Sequence, residues 1–412
     1  MTLKGSDRNG PLQGIKVLEL AQIMAGPTCG MMLADMGADV IKVEKLPAGD
    51  DSRGYREPRI NGVSAPFLIL NRNKQGLAID LKKPAGVAVL KRMVEKADVL
   101  TENYRAGTME KLGVGYEALN AVNPRLIYAA VSGYGRTGPM SDKPGFDLIA
   151  QGFSGLMSIT GFEGQPPAKT GNSVADINAG ILACVGILAA LVERSVTGKG
   201  QFVETSLMEA GLQQTYWQAA MFFANGRSAR PLGSAHPLTA PYQAFKTADG
   251  HLNIGGANQA NWERIADTLG HPEWKTDPRF TSNSDRMQHQ QELTQLIEAV
   301  LAFKGTAEWI DAFDSAGVPV GPVHSIEEAL THPQALAREM VVETLHPKAG
   351  RVKGIGHPIK FGASSRPIPT PAPELGEHTV GVLESFGFTP EEIDSLINQG
   401  VVHQAPSGDE EA

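Results

Sequence analysis

The chain has 412 residues, 42% of them hydrophobic and 20% charged, a length beyond one ordinary domain and a composition close to that of soluble globular proteins. A formal net charge of −8 argues against a general nucleic-acid binder, although a local basic pocket for a small anion fits on an acidic protein. The two cysteines, Cys29 and Cys184, have neither disulfide-framework nor metal-ligand spacing, and MTLKGSDRNG has no apolar signal core, so a reducing, cytoplasmic setting with no bound metal is expected.

The first elements alternate between strand and helix. Residues 15–20 read as a short strand, Pro27 suits the first position of a helix running to about Met36, and residues 40–44 make a second strand. VAVLKRMVEKA then reads as a helix, and DVLTEN and LIYAAVSGYG as strands. Such alternation predicts an α/β fold with a parallel, doubly wound sheet. The longest apolar run, residues 179–192, is too short for a bilayer that needs roughly 20 residues and reads as a buried helix.

Near Gly226 the organisation changes, because NGRSARPLGSAHPLTAP has the Pro, Gly and Ser content of a linker. After it, YQAFKTADGHLNIGG predicts a hairpin turning at Asp249-Gly250, followed by helices around 262–269 and 290–301. The expected division is a large domain at 1–226, a small α+β domain at 227–340 and a C-terminal segment at 341–412. That segment is extended and proline-rich before a short helix at PEEIDSLINQG, and its end, QAPSGDEEA, reads as disordered.

A strand–turn–helix–strand ending in Glu44 invites a dinucleotide, but the turn A-Q-I-M-A-G-P-T-C-G offers only Gly26 and Gly30 where three glycines at fixed spacing are needed. Gly198-Lys199-Gly200 lacks the upstream glycine and the following Ser or Thr of a phosphate loop. No serine or cysteine nucleophile motif is present. Asp176 stands just before the apolar run and has two readings. It can cap the helix by accepting from the orphan N–H groups of the first turn, or it can be a nucleophile presented at a helix start.

Five stretches in order and register resemble the class III CoA-transferase (CaiB/BaiF) family: LQGIKVLELAQIMAGPTCGMMLADMGADVIKVEK, LNRNKQGLAIDLK, ADVLTENYRAGTMEKLG, VSGYGRTGP and residues 176–208. That family includes formyl-CoA:oxalate, carnitine and benzylsuccinate CoA-transferases, with α-methylacyl-CoA racemases as cousins. The resemblance implies a Rossmann-like large domain built from the N-terminal half plus the C-terminal tail, with a smaller α+β domain inserted. It also implies an interlocked homodimer. The activity it implies moves CoA between an acyl-CoA and a carboxylic acid through an aspartyl-CoA thioester at Asp176. The CoA thioester is then a substrate, no cofactor is permanently bound, and the partners are acyl-CoA and small acids rather than nucleic acid or a membrane. An aspartate with an ordinary pKa of about 3.9 is ionised at neutral pH and needs no adjacent base.

The resemblance places Gln22, Ile23 and Ala25, then Lys45, Ile79, Lys82, Asn103, Tyr104, Arg105 and Lys111, along the CoA site. Arg105 reads equally well as solvated surface charge. Gly255 and Gly256 resemble a glycine loop covering the nucleophile, the alternative being a strand-end turn. Racemases carry a histidine in a G-H-D stretch. Here PGFD puts Phe146 before Asp147, and phenylalanine cannot move a proton. Oxalate-using members tend to have glutamine where Met24 stands and Lys-x-Tyr where Pro144-Gly145-Phe146 stands. Met24 and Phe146 therefore point to a C4–C6 dicarboxylate exchanged with succinyl-CoA. A racemase-like enzyme and a non-catalytic acyl-CoA binder are the alternative readings.

Overall fold

The structure, a computed structural model, describes residues 10–364 and 369–406. The readings of the N-terminus and of the C-terminal end fall mainly on residues 1–9 and 407–412, which lie outside the described residues. Of QAPSGDEEA, Gln404 is held in place, its amide donating to the carbonyls of Glu377 and Ala405.

The chain forms two compact units. One comprises Met1–Leu156, Lys169–Ala220 and Gln334–Ala412, the other Met157–Ala168 and Met221–Pro333. The stretch Met157–Ala168, expected in the large domain, groups with the second unit for a visible reason. Gly233 N–H donates to Gly161 O at 2.7 Å, and Arg230 pairs with Glu163 at 2.7 Å.

The first unit is built on a seven-stranded sheet. Its strands are β1 (Lys16–Glu19), β2 (Asp39–Lys45), β3 (Lys74–Ile79), β4 (Val99–Glu102), β5 (Ile127–Ser132) and β6 (Phe202–Ser206). Their spatial order is β3-β2-β1-β4-β5-β6, all parallel, and the two-residue strand Val402–His403 pairs antiparallel with the free edge of β3. Strands buried on both faces need apolar side chains on both, which is why these runs lack a clean polar alternation. The unit's helices include α1 (Ala25–Asp35), α2 (Pro84–Val94), α3 (Asp147–Phe153), α4 (Val174–Thr197) and α5 (Leu207–Gln213). Val17, Val40 and Val99 face α1 and α4, whereas Leu18, Ile41 and Leu100 face α2 and the helices Thr379–Ser385 and Pro390–Asn398. Helix α1 starts two residues before Pro27, at Ala25.

Helix α4 extends well beyond the apolar run of residues 179–192, and the whole 24-residue helix is long and apolar enough to cross a membrane by length and composition. The expectation of a buried helix is corrected, because it is not buried all round. Ala175, Ala179, Gly180, Ala183, Ile187 and Ala190 are buried, while Val192 and Val196 are 70% and 86% exposed. The small-residue face lets α4 lie against α1: a Cβ on Gly180 would sit 2.4 Å from the carbonyl oxygen of Ala25.

The second unit carries a three-stranded antiparallel sheet, β7 (Tyr242–Lys246), β8 (His251–Gly255) and β9 (Val320–Pro322), with β8 central. Helices Gln259–Thr268, Gln290–Leu301 and Thr306–Ser315 bury Trp262, Ile297 and Phe313 with Phe245 and Ile254 of the sheet. In the first unit, the stretch expected only to be extended contains a hairpin, β10 (Val341–His346) and β11 (Gly350–Ile355).

Inside the large sheet lies a cluster of charges on three adjacent strands. Glu19 Oε1 of β1 accepts from Lys42 of β2 at 3.1 Å and from Lys74 of β3 at 3.0 Å, its Oε2 forms an ion pair with the Lys74 ammonium at 2.8 Å, and Lys42 also pairs with Asp50 at 2.8 Å. The side chains of Glu19, Lys42, Lys74 and Asp50 are all fully buried. Burial alone would push Lys42 down, but Glu19, Asp50 and Glu44 together hold it above its usual value. Lys74, with burial and Lys42 both acting against its charge, sits at about 8.

Gly30 of α1 passes directly over this cluster. A Cβ there would lie 1.6 Å from a Glu19 carboxylate oxygen. Gly30→Ala is therefore expected to destabilise the fold by roughly 3–5 kcal/mol, because Glu19 must move away from two buried lysines. Gly362→Ala, with nothing within 4 Å of its Cβ, should stay near wild type in the same urea titration. Equal midpoints for both variants would contradict the packing assigned to Gly30.

Candidate functional site

In a parallel sheet, the loops leaving the C-terminal strand ends surround the natural crevice. Here a cavity of about 290 Å³ opens there, within the first unit. Its walls are the turn after β1 (Gln22, Ile23, Met24 and Ala25), the turn after β4 (Asn103, Tyr104 and Arg105), Ser132 and Gly133 at the end of β5, the loop through Lys143 and Phe146, and Asp176. The glycines explain how two of these walls meet, since a Cβ on Gly133 would fall 2.7 Å from backbone atoms of Gly145.

Asp176 is not the helix cap. Helix α4 begins at Val174 after Ser173, whose side chain makes no capping bond. The first-turn amides are taken by Asp147 of α3 instead: its Oδ1 accepts from Ala175 N–H at 2.9 Å and from Asp176 N–H at 3.4 Å. Gln151, fully buried one helical turn on, donates to Asp147 Oδ2 at 2.7 Å and fixes that carboxylate. The Asp176 carboxyl is half-buried, lines the cavity and has no hydrogen-bond partner among the described residues. Burial, reinforced by the neighbouring Asp147 charge, raises its pKa from 3.8 to about 7. The expectation of an ordinary, fully ionised carboxylate is corrected by that environment.

The turn after β1 is clamped from two sides. Asn103 Oδ1 accepts from Gln22 N–H and Asn103 Nδ2 donates to Gln22 O, both at 2.8 Å. The Asp50 carboxylate accepts from Ile23 N–H at 3.1 and 3.2 Å. Ile23 has φ of +66°, in the left-handed region that a β-branched residue rarely enters.

The remaining expected residues are placed differently with respect to the cavity. Met24, Tyr104, Arg105 and Phe146 line the cavity, Arg105 being exposed and Phe146 65% exposed. Lys45 is at its rim, donating to Gln22 at 3.1 Å and to Asp51 at 2.6 Å, and both of those residues line the cavity. Asp147 supports Asp176 from behind. Lys82 and Lys111 are exposed and do not line this cavity, and Ile79 is 1% exposed within the core, which leaves its side chain nothing to offer a ligand. In the second unit, Gly255 N–H donates to Pro319 O and Gly256 N–H to Pro241 O, each at 2.8 Å. A Cβ on Gly256 would lie 2.5 Å from Pro241 O, so the glycine there serves the packing of a strand end.

Lys143 and Ser132 were not singled out from sequence. Their signal was position: Ser132 ends β5 and Lys143 follows it in the VSGYGRTGPMSDKPGFD loop, where a parallel sheet presents ligand-facing residues. Neither Lys143 nor Arg105 has an ion-pair partner among the described residues, so two cations stand in the cavity with Asp176.

A sequence model of CoA-transferase family III matches residues 12–379. Among similar proteins, the succinyl-CoA:glutarate CoA-transferase of Mus musculus is 37% identical over 399 residues, 97% of this chain and 92% of its own. The acetyl-CoA:oxalate CoA-transferase of Acetobacter aceti is 38% identical over 379 residues, 92% of this chain and 96% of its own. Among solved structures, a CAIB/BAIF family protein from Brucella suis has a TM-score of 0.82 at 35% identity, covering 92% of this chain and 100% of its own. With a match that takes in every strand of the large sheet except Val402–His403, the chain belongs to CoA-transferase family III.

Proposed function

We propose that the protein transfers CoA between succinyl-CoA, or a similar acyl-CoA, and a short dicarboxylic acid, with Asp176 as the nucleophile. The observation that carries this reading is a half-buried carboxyl in a cavity, relieved of the capping role by Asp147 and without a hydrogen-bond partner among the described residues. Such a group is desolvated and free to attack. An Asp176 oxygen adds to the thioester carbonyl, the C–S bond breaks, and a mixed anhydride and CoA thiolate result. The thiolate then attacks the aspartyl carbonyl, releasing the first acid and leaving an aspartyl-CoA thioester. The acceptor carboxylate attacks that thioester to give a second anhydride. Its acyl carbonyl takes back the thiolate, which yields the new acyl-CoA and restores Asp176.

Arg105 and Lys143 supply positive charge for the phosphates of CoA or the far carboxylate of a dicarboxylic acid. Phe146, exposed at the cavity wall, cannot relay a proton, which favours transfer over racemisation. Family relationship and the exposed stripe Ile181, Val185, Val192 and Val196 on α4 support a second copy of the chain as partner, in the interlocked homodimer of the family. A solution mass of one chain at assay concentrations would remove that assembly. The two free, buried cysteines fit a cytoplasmic setting.

Asp176→Asn should fold, still bind CoA, and lose turnover by about three or more orders of magnitude, since an amide cannot form the anhydride. The wild type incubated with succinyl-CoA should carry a hydroxylamine-sensitive adduct on the peptide containing Asp176. An adduct elsewhere, or near-normal transfer by the variant, would return Asp176 to a structural role.

The raised pKa has two consequences of definite sign. Attack needs the ionised form, so kcat/KM should fall about tenfold per pH unit below about 7 and level off above it. Folding favours the protonated form, so the wild type loses stability relative to Asp176→Asn as pH rises from about 4 to about 7, by at most about 1.4 kcal/mol per unit. Thermal melts of both proteins at pH 5 and pH 8 would measure the gap, and a pH-independent gap would refute the shift.

Donor and acceptor preference is read by mass spectrometry of the CoA products. Succinyl-CoA with glutarate should transfer well and acetate poorly. Oxalate is the discriminating acceptor, because a relative of equal similarity is named for it, and preferential transfer to oxalate would overturn the preference for longer acids assigned to Met24 and Phe146.

A further inference from the structure

The left-handed turn at Ile23 has no sequence device of its own: it contains no glycine or asparagine, and the residue that bends is β-branched. What holds it comes from elsewhere in the chain. Asp50, 2% exposed, meets Ile23 N–H with both carboxylate oxygens, and the same carboxylate accepts from Ser52 N–H at 2.9 Å and Ser52 Oγ at 2.7 Å. Lys42 pairs with it at 2.8 Å, and Asp50 N–H donates to Glu44 at 2.9 Å. Asn103 grips Gln22 at both its N–H and its C=O, so the peptide between Gln22 and Ile23 is held at its oxygen by Asn103 and at its nitrogen by Asp50.

We propose that Asp50 is a positioning residue: its buried carboxylate holds the Ile23 amide and keeps the turn from Gln22 to Ala25 in the left-handed shape that forms one wall of the acyl-CoA cavity. The role rests on the assignment of that cavity to acyl-CoA. Without the carboxylate, Ile23 relaxes to an ordinary backbone region and the wall has to be rebuilt each time substrate binds. The cost then falls on binding rather than on the bond-making steps at Asp176.

The test is a double-mutant cycle on the whole enzyme, read as KM and kcat for acyl-CoA. Asp50→Ala should raise KM about tenfold with kcat within about threefold of wild type. Glycine enters the left-handed region without strain, so in a background carrying Ile23→Gly the further step Asp50→Ala should raise KM by less than about threefold. An increment in KM as large in that background as in the wild type overturns the proposal, as does an unchanged KM in the single variant. Should Asp50→Ala fail to fold, Ile23→Pro, which has no N–H and cannot adopt φ of +66°, should show the same rise in KM in a folded protein. A wild-type KM there also overturns it. Failure of the cavity assignment has a different signature: Asp176→Asn would then retain transfer, whatever the cycle shows.

Discussion

Four buried charges, Glu19, Lys42, Lys74 and Asp50, each satisfy another, and the large unit depends on their closure. An unpaired charge in the interior costs several kcal/mol, so none of the four is stable without its neighbours. The pairings bind β1 to β2 and β3, linking Glu19 at the C-terminal end of β1 to Lys42 within β2 and to Lys74 at the start of β3. They also dictate that α1 carry glycine at position 30, where any side chain would displace Glu19. Through Asp50 the same cluster reaches Ile23 and so the cavity wall. Stability and ligand geometry here draw on one set of charges.

A second division of labour operates at the start of α4. Two carboxylates sit near one helix N-terminus, and a helix end favours negative charge. Asp147 takes the amides, held by Gln151, while Asp176 is left unbonded and half-buried next to that charge. The like charge and the burial both push Asp176 towards its neutral form, so a group that would ordinarily be inert by full solvation is poised near neutrality.

The sheet was legible because its strands are apolar on both faces, and the alternation of such runs with helices leaves few topologies open. Asp176 was legible as a singular acid before an apolar run. What capped the helix was not, because Asp147 lies 29 residues earlier and no periodicity links the two. The run Asn71-Arg72-Asn73-Lys74 is polar at every position, yet all four residues are buried. Their partners come from distant chain: Asp35 pairs with Arg72 and accepts from Asn73, Glu19 pairs with Lys74, and Thr370 donates to Asn73. Ile79 and Lys82 followed from motif likeness alone, and motif likeness does not say that Ile79 points into the core or that Lys82, beyond the strand, is exposed away from the cavity.

Val402–His403 closes the edge of β3, and Arg53 reaches a carbonyl of Pro373, 320 residues further along. Ribosomal synthesis is directional, so β3 is made long before the segment that covers it. During that interval the nascent chain exposes an unpaired strand edge and an uncovered apolar face, the two features that recruit holding chaperones. The edge is closed only once Val402–His403 has been made, well after all six parallel strands of the sheet.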